Sequence, residues 1–142
     1  MDMTLDEITI SRAIVTEHLN TLIEYMEMDV AVIGAGPSGL VCAALIAEKG
    51  LKVGLIEKKL SIGGGMWGGG MMFPRIVVQQ EAKRLLDRFG IRSSEFAPGY
   101  YTARSVEAVT KLAAAASDAG VEFFNLTTVE DVMIKGDGTL SG

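Results

Sequence analysis

The residues with chemistry in them lie early in the chain. Gly34-Ala35-Gly36-Pro37-Ser38-Gly39 reads as GxGxxG, and Glu57 follows eighteen residues after the last of these glycines. A pyrophosphate needs a backbone it can approach closely and amide donors pointing at it, and this spacing supplies both. Gly34 permits the tight turn, Gly36 leaves the backbone open to the anion, and Gly39 lets a helix pack closely on a strand. Ser38 adds a hydroxyl in the first helical turn. Glu57 would accept hydrogen bonds from two ribose hydroxyls and repel a 2′-phosphate, so NAD or FAD is expected over NADP. The chemistry implied is recognition of the ADP half of a dinucleotide.

Elements must exist to hold these residues in place, and the pattern predicts them. Residues 29–33 (DVAVI) read as a short buried strand, 38–49 as a small-residue helix stopped by Gly50, and 51–57 (LKVGLIE) as a second strand. A strand, glycine turn, helix and strand of this length make a right-handed βαβ unit. A capping box at Thr4 and Glu7 predicts a helix before it, with Ile8, Val15, Leu19, Leu22, Ile23 and Met26 in helical period. Residues 77–89 read as an amphipathic helix ended by Gly90. Ser105 reads as the cap of an alanine-rich helix reaching Ala119. Strands are expected at 121–126 and 129–135, the latter entering a hairpin at Gly136-Asp137-Gly138. The division expected is an N-terminal helix, residues 1–28, and an incomplete dinucleotide-binding domain, residues 29–142. The fold class is α/β: a doubly wound parallel sheet of the FAD/NAD-binding Rossmann type with a β-meander crossover. A fold of this type needs more strands than these, so a fragment of a longer protein is expected.

Composition narrows the functions. The formal charge is −5 with no basic stripe, which argues against nucleic acid as a partner. One cysteine, Cys42, and one histidine, His18, provide neither a disulfide framework nor a metal cluster, and Cys42 is expected as a buried, inert thiol packing on the sheet. No apolar run reaches the ~18 residues of a membrane span and no leader opens the chain, so a soluble cytoplasmic protein is expected. The loop Gly63-Gly64-Gly65-Met66-Trp67-Gly68-Gly69-Gly70 is not a linker composition. It suggests backbone pressed against a ligand, with φ values that other residues could not adopt.

Three segments together resemble the thiamine thiazole synthase family, in its archaeal, sulfide-using branch: DVAVIGAGPSGL (29–40), IEKKLSIGGGMWGGGMMFP (56–74) and FNLTTVEDVMI (124–134). The middle one is the specific one. The resemblance covers the whole chain and about the first half of a family member. It implies an enzyme that consumes NAD: nicotinamide leaves, and the ADP-ribose carbons combine with glycine and sulfide into an ADP-linked thiazole carboxylate for thiamine biosynthesis. It implies that Ser38, Glu57, Lys58, Gly65 and Val129 contact the ADP part. Ser38 and Gly65 then lie near phosphate and ribose, Glu57 holds the adenosine ribose, and the Val129 backbone reads the adenine edge. It also implies Fe(II), with its His and Asp ligands, the glycine-binding Arg and the sulfur-donor cysteine of the other branch all beyond Gly142, and a homo-octamer with shared sites. Two other readings stand beside it: a FAD-dependent oxidoreductase, and a nucleotide-binding module with no chemistry of its own. For this chain alone, no catalytic residue is assigned and no thiazole synthesis is expected.

Overall fold

The computed structural model describes residues 5–141 and contains two sheets of different kinds. The first is parallel: β1 (Val30–Ile33), β2 (Val53–Glu57) and β6 (Glu122–Asn125) lie in the order β1-β2-β6. Val30 sits opposite Val53, and Leu55 opposite Phe123. β2 is the middle strand and is buried at four of its five residues, which is why its sequence is an apolar run rather than an alternation. The crossover from β1 to β2 is α2 (Pro37–Ala47), and α4 (Ser105–Asp118) leads into β6. Strands added in one direction with helices as crossovers form one half of a doubly wound sheet.

α2 and α4 pack on each other and close the core. Leu40, Ala43, Ala44 and Ala47 of α2 meet Val53 and Leu55 of β2 and Ala108, Leu112 and Ala116 of α4, all buried. Small residues dominate the helix contact, so the backbones approach closely. The larger side chains, Leu40 and Leu55, each contribute about 1.5–3 kcal/mol on burial.

The second sheet is antiparallel and is inserted between β2 and α4. It consists of β3 (Arg75–Val78), β4 (Ser93–Ala97) and β5 (Tyr100–Arg104) in the order β3-β5-β4, with α3 (Gln80–Arg88) after β3. The helix expected over 77–89 is therefore strand in its first two residues: Val77 and Val78 pair with Thr102 and Tyr101, and α3 starts only at Gln80. The β-branched run Ile76-Val77-Val78 prefers a pleated surface once a partner strand is present, and that partner is remote in sequence. β4 and β5 themselves carry polar, weakly alternating residues, which is why no strand is expected there from the pattern.

At the other end, no strand forms over 129–135. Only an isolated bridge, Ile134 to Leu140, closes the expected hairpin, with Lys135 N–H donating to Thr139 O at 2.8 Å. Ser141 N–H donates to Met133 O at 2.8 Å, but among the described residues no strand pairs with residues 129–132, and a strand needs a ladder partner. α1 (Glu7–Glu24) is present but starts on Asp6, whose carboxylate accepts from Ile8 N–H at 3.1 Å; Thr4 lies outside the described residues. None of α1 is buried, and its apolar stripe is exposed. The helix is joined to the sheet just past its end, where the Tyr25 ring meets Phe124 edge-on at 5.6 Å and Lys52 Nζ lies 4.7 Å above Tyr25.

Candidate functional site: a glycine turn and an acidic strand end

The site begins where β1 stops. Gly34 takes φ +94° and its N–H donates to Ile56 O at 2.7 Å, so the turn is tied to β2 as it leaves β1. Gly36 is the residue before α2, with no side chain capping the helix, and Pro37 occupies the first helical position. Leu40 N–H closes the first helical bond to Gly36 O at 2.9 Å, which leaves the Ser38 and Gly39 amides in the first turn facing outward with the helix dipole behind them. Such an end favours an anion. A Cβ on Gly39 would lie 1.9 Å from Gly34 O, so the turn and helix can close only around glycine. Around Gly36 a Cβ would meet nothing within 4 Å, so the space beside it is open. Ser38 is exposed.

Glu57, at the end of β2, is buried at 8% exposure. Its Oε2 accepts from Ala35 N–H at 2.8 Å and its Oε1 from Lys59 N–H at 2.9 Å. These two bonds, that of Lys59 first, hold the carboxyl below the ordinary glutamate range; burial opposes them, and the charges of Lys59 and Lys58 add to them. Glu57 is thus a carboxylate at neutral pH, and each oxygen keeps a second lone pair for a further donor. A cleft of about 310 Å³ opens beside it, lined by Gly34, Glu57, Lys58, Thr127, Thr128 and Val129. Residues 126–129 reach it because Thr127 N–H donates to Glu57 O at 3.1 Å and Leu126 N–H to Lys59 O at 3.3 Å, with Leu126 bent to φ +56°. Of the expected contact residues, Gly34, Glu57, Lys58 and Val129 therefore share one cleft. Gly36, Ser38 and Gly39 form the adjoining turn.

Gly65 sits in a short 3-10 turn, Gly64–Gly68, exposed, with negative φ and with nothing within 4 Å of a Cβ. Gly63, Gly64 and Gly69 take the positive φ expected of the loop, but at Gly63 and Gly69 it is the chain's own packing that excludes a side chain. Gly63 N–H donates to Ala35 O at 2.7 Å, a Cβ on Gly63 would come within 2.6 Å of Val109 Cγ1, and one on Gly69 within 2.2 Å of Phe73 O. Trp67 braces the turn, its indole N–H donating to Ile62 O at 2.7 Å. Ser105 is not a helix cap. Arg104 precedes α4 without a side-chain cap, and the fully buried Ser105 hydroxyl donates to Trp67 O at 3.2 Å. This latch between α4 and the glycine loop was missed because a serine at a helix start reads as a cap. Thr127 and Thr128 were missed as cleft residues because only their neighbour Val129 matched a known pattern.

The remaining candidates sort plainly. Cys42 is exposed rather than buried; it faces an apolar cavity of about 360 Å³ with Ser38, Val41, Met66 and Leu85, walled by Ile76 and Val78 of the antiparallel sheet and by no residue of the parallel one. Spacing put Cys42 on a helix and said nothing of which side the sheet covers. Tyr101 donates its hydroxyl to Gln80 Oε1 at 2.7 Å, and His18 is exposed on α1. Among the described residues, no three His, Cys, Asp or Glu side chains converge to hold a metal ion, and no helix is long and apolar enough to cross a membrane.

Parallel strands in this order, a glycine turn pinned beneath a helix N-terminus and an acidic end to the second strand define a Rossmann-type α/β fold of the FAD/NAD-binding class. A family comparison makes this specific. The Thi4 family matches residues 11–142, and the chain belongs to that family. It is 74% identical over 140 residues to a thiamine thiazole synthase of Methanoculleus marisnigri, covering 99% of this chain and 55% of that protein. The crystal structure of Thermovibrio ammonificans THI4 superposes with a TM-score of 0.91 at 47% identity, over 97% of this chain and 54% of that one. L-proline dehydrogenase from P. horikoshii shares the fold alone, at 16% identity and a TM-score of 0.61 over 78% of this chain and 47% of that one. The chain spans about half the length of the relatives it matches.

Proposed function

We propose that this chain is the nucleotide-binding part of a thiamine thiazole synthase, and that the nucleotide it holds is NAD as a substrate. The observation that carries the reading is the Glu57 carboxylate, ionised, buried and opening onto a cleft continuous with the glycine turn. In this reading the Ser38 and Gly39 amides and the Ser38 hydroxyl take the pyrophosphate, and Gly34 and Gly36 leave it room. Glu57 takes the adenosine ribose hydroxyls on its unused lone pairs, Lys58 and the Val129 backbone flank the adenosine, and Gly65 lies by the distal phosphate and ribose. Glycine and sulfide are the co-substrates, the product is an ADP-linked thiazole carboxylate, and the working protein is a cytoplasmic homo-oligomer. The similarity to thiamine thiazole synthases supports the reaction class. The described residues hold no ligand set for the Fe(II) that the family resemblance implies, so no step is assigned through iron here. What these residues do is bind and orient ADP-ribose.

Calorimetric titration of the chain with NAD, NADP and FAD tests this. NAD is expected to bind, and NADP to bind roughly tenfold or more weakly, because its 2′-phosphate would face the Glu57 carboxylate. Equal affinity for NAD and NADP overturns the placement of the ribose on Glu57. A yellow protein that copurifies with flavin and ignores NAD favours the FAD-dependent oxidoreductase instead.

A further inference from the structure

The antiparallel sheet carries a second polar cavity, of about 320 Å³, that shares no lining residue with the nucleotide cleft. Arg75, Arg92, Ser94, Thr102 and Arg104 line it together with Glu107. Arg75 of β3 and Arg104 of β5 are direct cross-strand partners. Opposed residues in an antiparallel pair put their side chains on the same face, and two like charges there destabilise the pair. Nothing in the cavity cancels them. Its one carboxylate, Glu107, already receives Arg92 Nε at 3.0 Å and Lys111 Nζ at 2.9 Å, and these two cations, Arg92 first, hold its pKa at about 2. Among the described residues neither Arg75 nor Arg104 has a carboxylate partner; Arg75 donates to the Pro74 carbonyl at 3.0 Å. The chain as a whole carries a net charge of −5, so this is a local surplus of positive charge against the general balance. The Ser94 and Thr102 hydroxyls lie 3.2 Å apart on the neighbouring strands and bond each other, Thr102 also donating to Ser94 O at 3.4 Å, so they form a polar wall and the free donors are those of the two guanidinium groups.

We propose that this cavity binds a small oxyanion of at least two negative charges, a phosphate monoester or a dicarboxylate, held between Arg75 and Arg104. A guanidinium offers a planar pair of N–H donors that matches such an anion, and an anion between two of them removes the cross-strand repulsion. The site then has a structural consequence as well as a ligand. With the anion bound, the β3–β5 pair is stabilised; without it, the pair carries an unfavourable charge contact that either substitution relieves.

The test uses the whole chain with Arg75→Gln and Arg104→Gln variants, at low ionic strength, with inorganic phosphate and succinate as probes. Wild-type protein is expected to bind one of them saturably by calorimetry, and each variant to bind it roughly tenfold or more weakly, the loss of one charge-assisted bond. NAD affinity is expected to be unchanged in both variants. In buffer free of both anions the variants are expected to melt at or above the wild-type temperature, and only the wild type to gain on adding the anion. Tighter binding of phosphate assigns a phosphate monoester, and tighter binding of succinate a dicarboxylate. Binding of neither probe, or binding that both variants retain, overturns the proposal.

Discussion

Removing the Glu57 carboxylate is expected to unsettle the fold as well as the ligand site, and the two effects separate by measurement. In Glu57→Ala the N–H of Ala35, fully buried, loses its acceptor at 2.8 Å, and the N–H of Lys59 loses one at 2.9 Å. A buried donor left unmade costs about 1–3 kcal/mol, whereas exposed Lys59 can turn to water and adds little, so a loss of about 1–3 kcal/mol is expected. That is a large share of the about 5–15 kcal/mol that holds a domain together. Urea denaturation followed by the emission of Trp67, the single tryptophan, measures it. The pH dependence supplies a second check. The folded carboxyl titrates below its ordinary value of 4.5, so its contribution is complete above that pH and is lost as pH falls toward the folded value. The gap between wild type and variant should therefore be constant near neutrality and narrow below about pH 4.5. A variant as stable as the wild type at pH 7, or a gap that widens in acid, would refute the reasoning.

Two further predictions follow from the same geometry. Gly39→Ala places a Cβ 1.9 Å from Gly34 O and should cost about 1–3 kcal/mol or more in thermal denaturation, whereas Gly36→Ala, with nothing within 4 Å, should keep wild-type stability and lose NAD affinity by calorimetry. An unchanged NAD affinity in Gly36→Ala would move the pyrophosphate away from the turn. Ser105→Ala removes the buried bond to Trp67 O and should cost about 0.5–1.5 kcal/mol while shifting Trp67 emission to the red as the glycine loop loosens; unchanged emission would mean that the latch does not hold the loop.

Much of the site was legible in the residues because its rules are local. A tight turn at Gly34, an approach at Gly39 that admits no side chain and an acid at the end of the next strand follow from backbone geometry within one βαβ unit. The structure places all three as the spacing implies. That unit, from β1 through α2 to β2, the helix α4 and the strand β6 are apolar or small-residue runs bounded by glycine, and the pattern finds them within a few residues. The sequence by itself thus determined the class of fold and the place of the glycine turn. What tertiary structure decided depends on partners far apart in the chain. Ile76-Val77-Val78 became a strand only because β5 lies beside it, and residues 129–132 form no ladder, the short return of the chain reaching back only as far as Met133, whose carbonyl accepts from Ser141 N–H. Cys42 faces the apolar cavity because Leu40, Ala43, Ala44 and Ala47 are the residues of α2 that enter the core, and Ser105 became a latch because Trp67 is folded against α4. Even Glu57 holds the turn through Ala35, twenty-two residues earlier, as well as facing the cleft. Local propensity specifies what a segment can form; burial, ladder pairing and hydrogen-bond acceptors come from elsewhere in the chain, and they select among those forms.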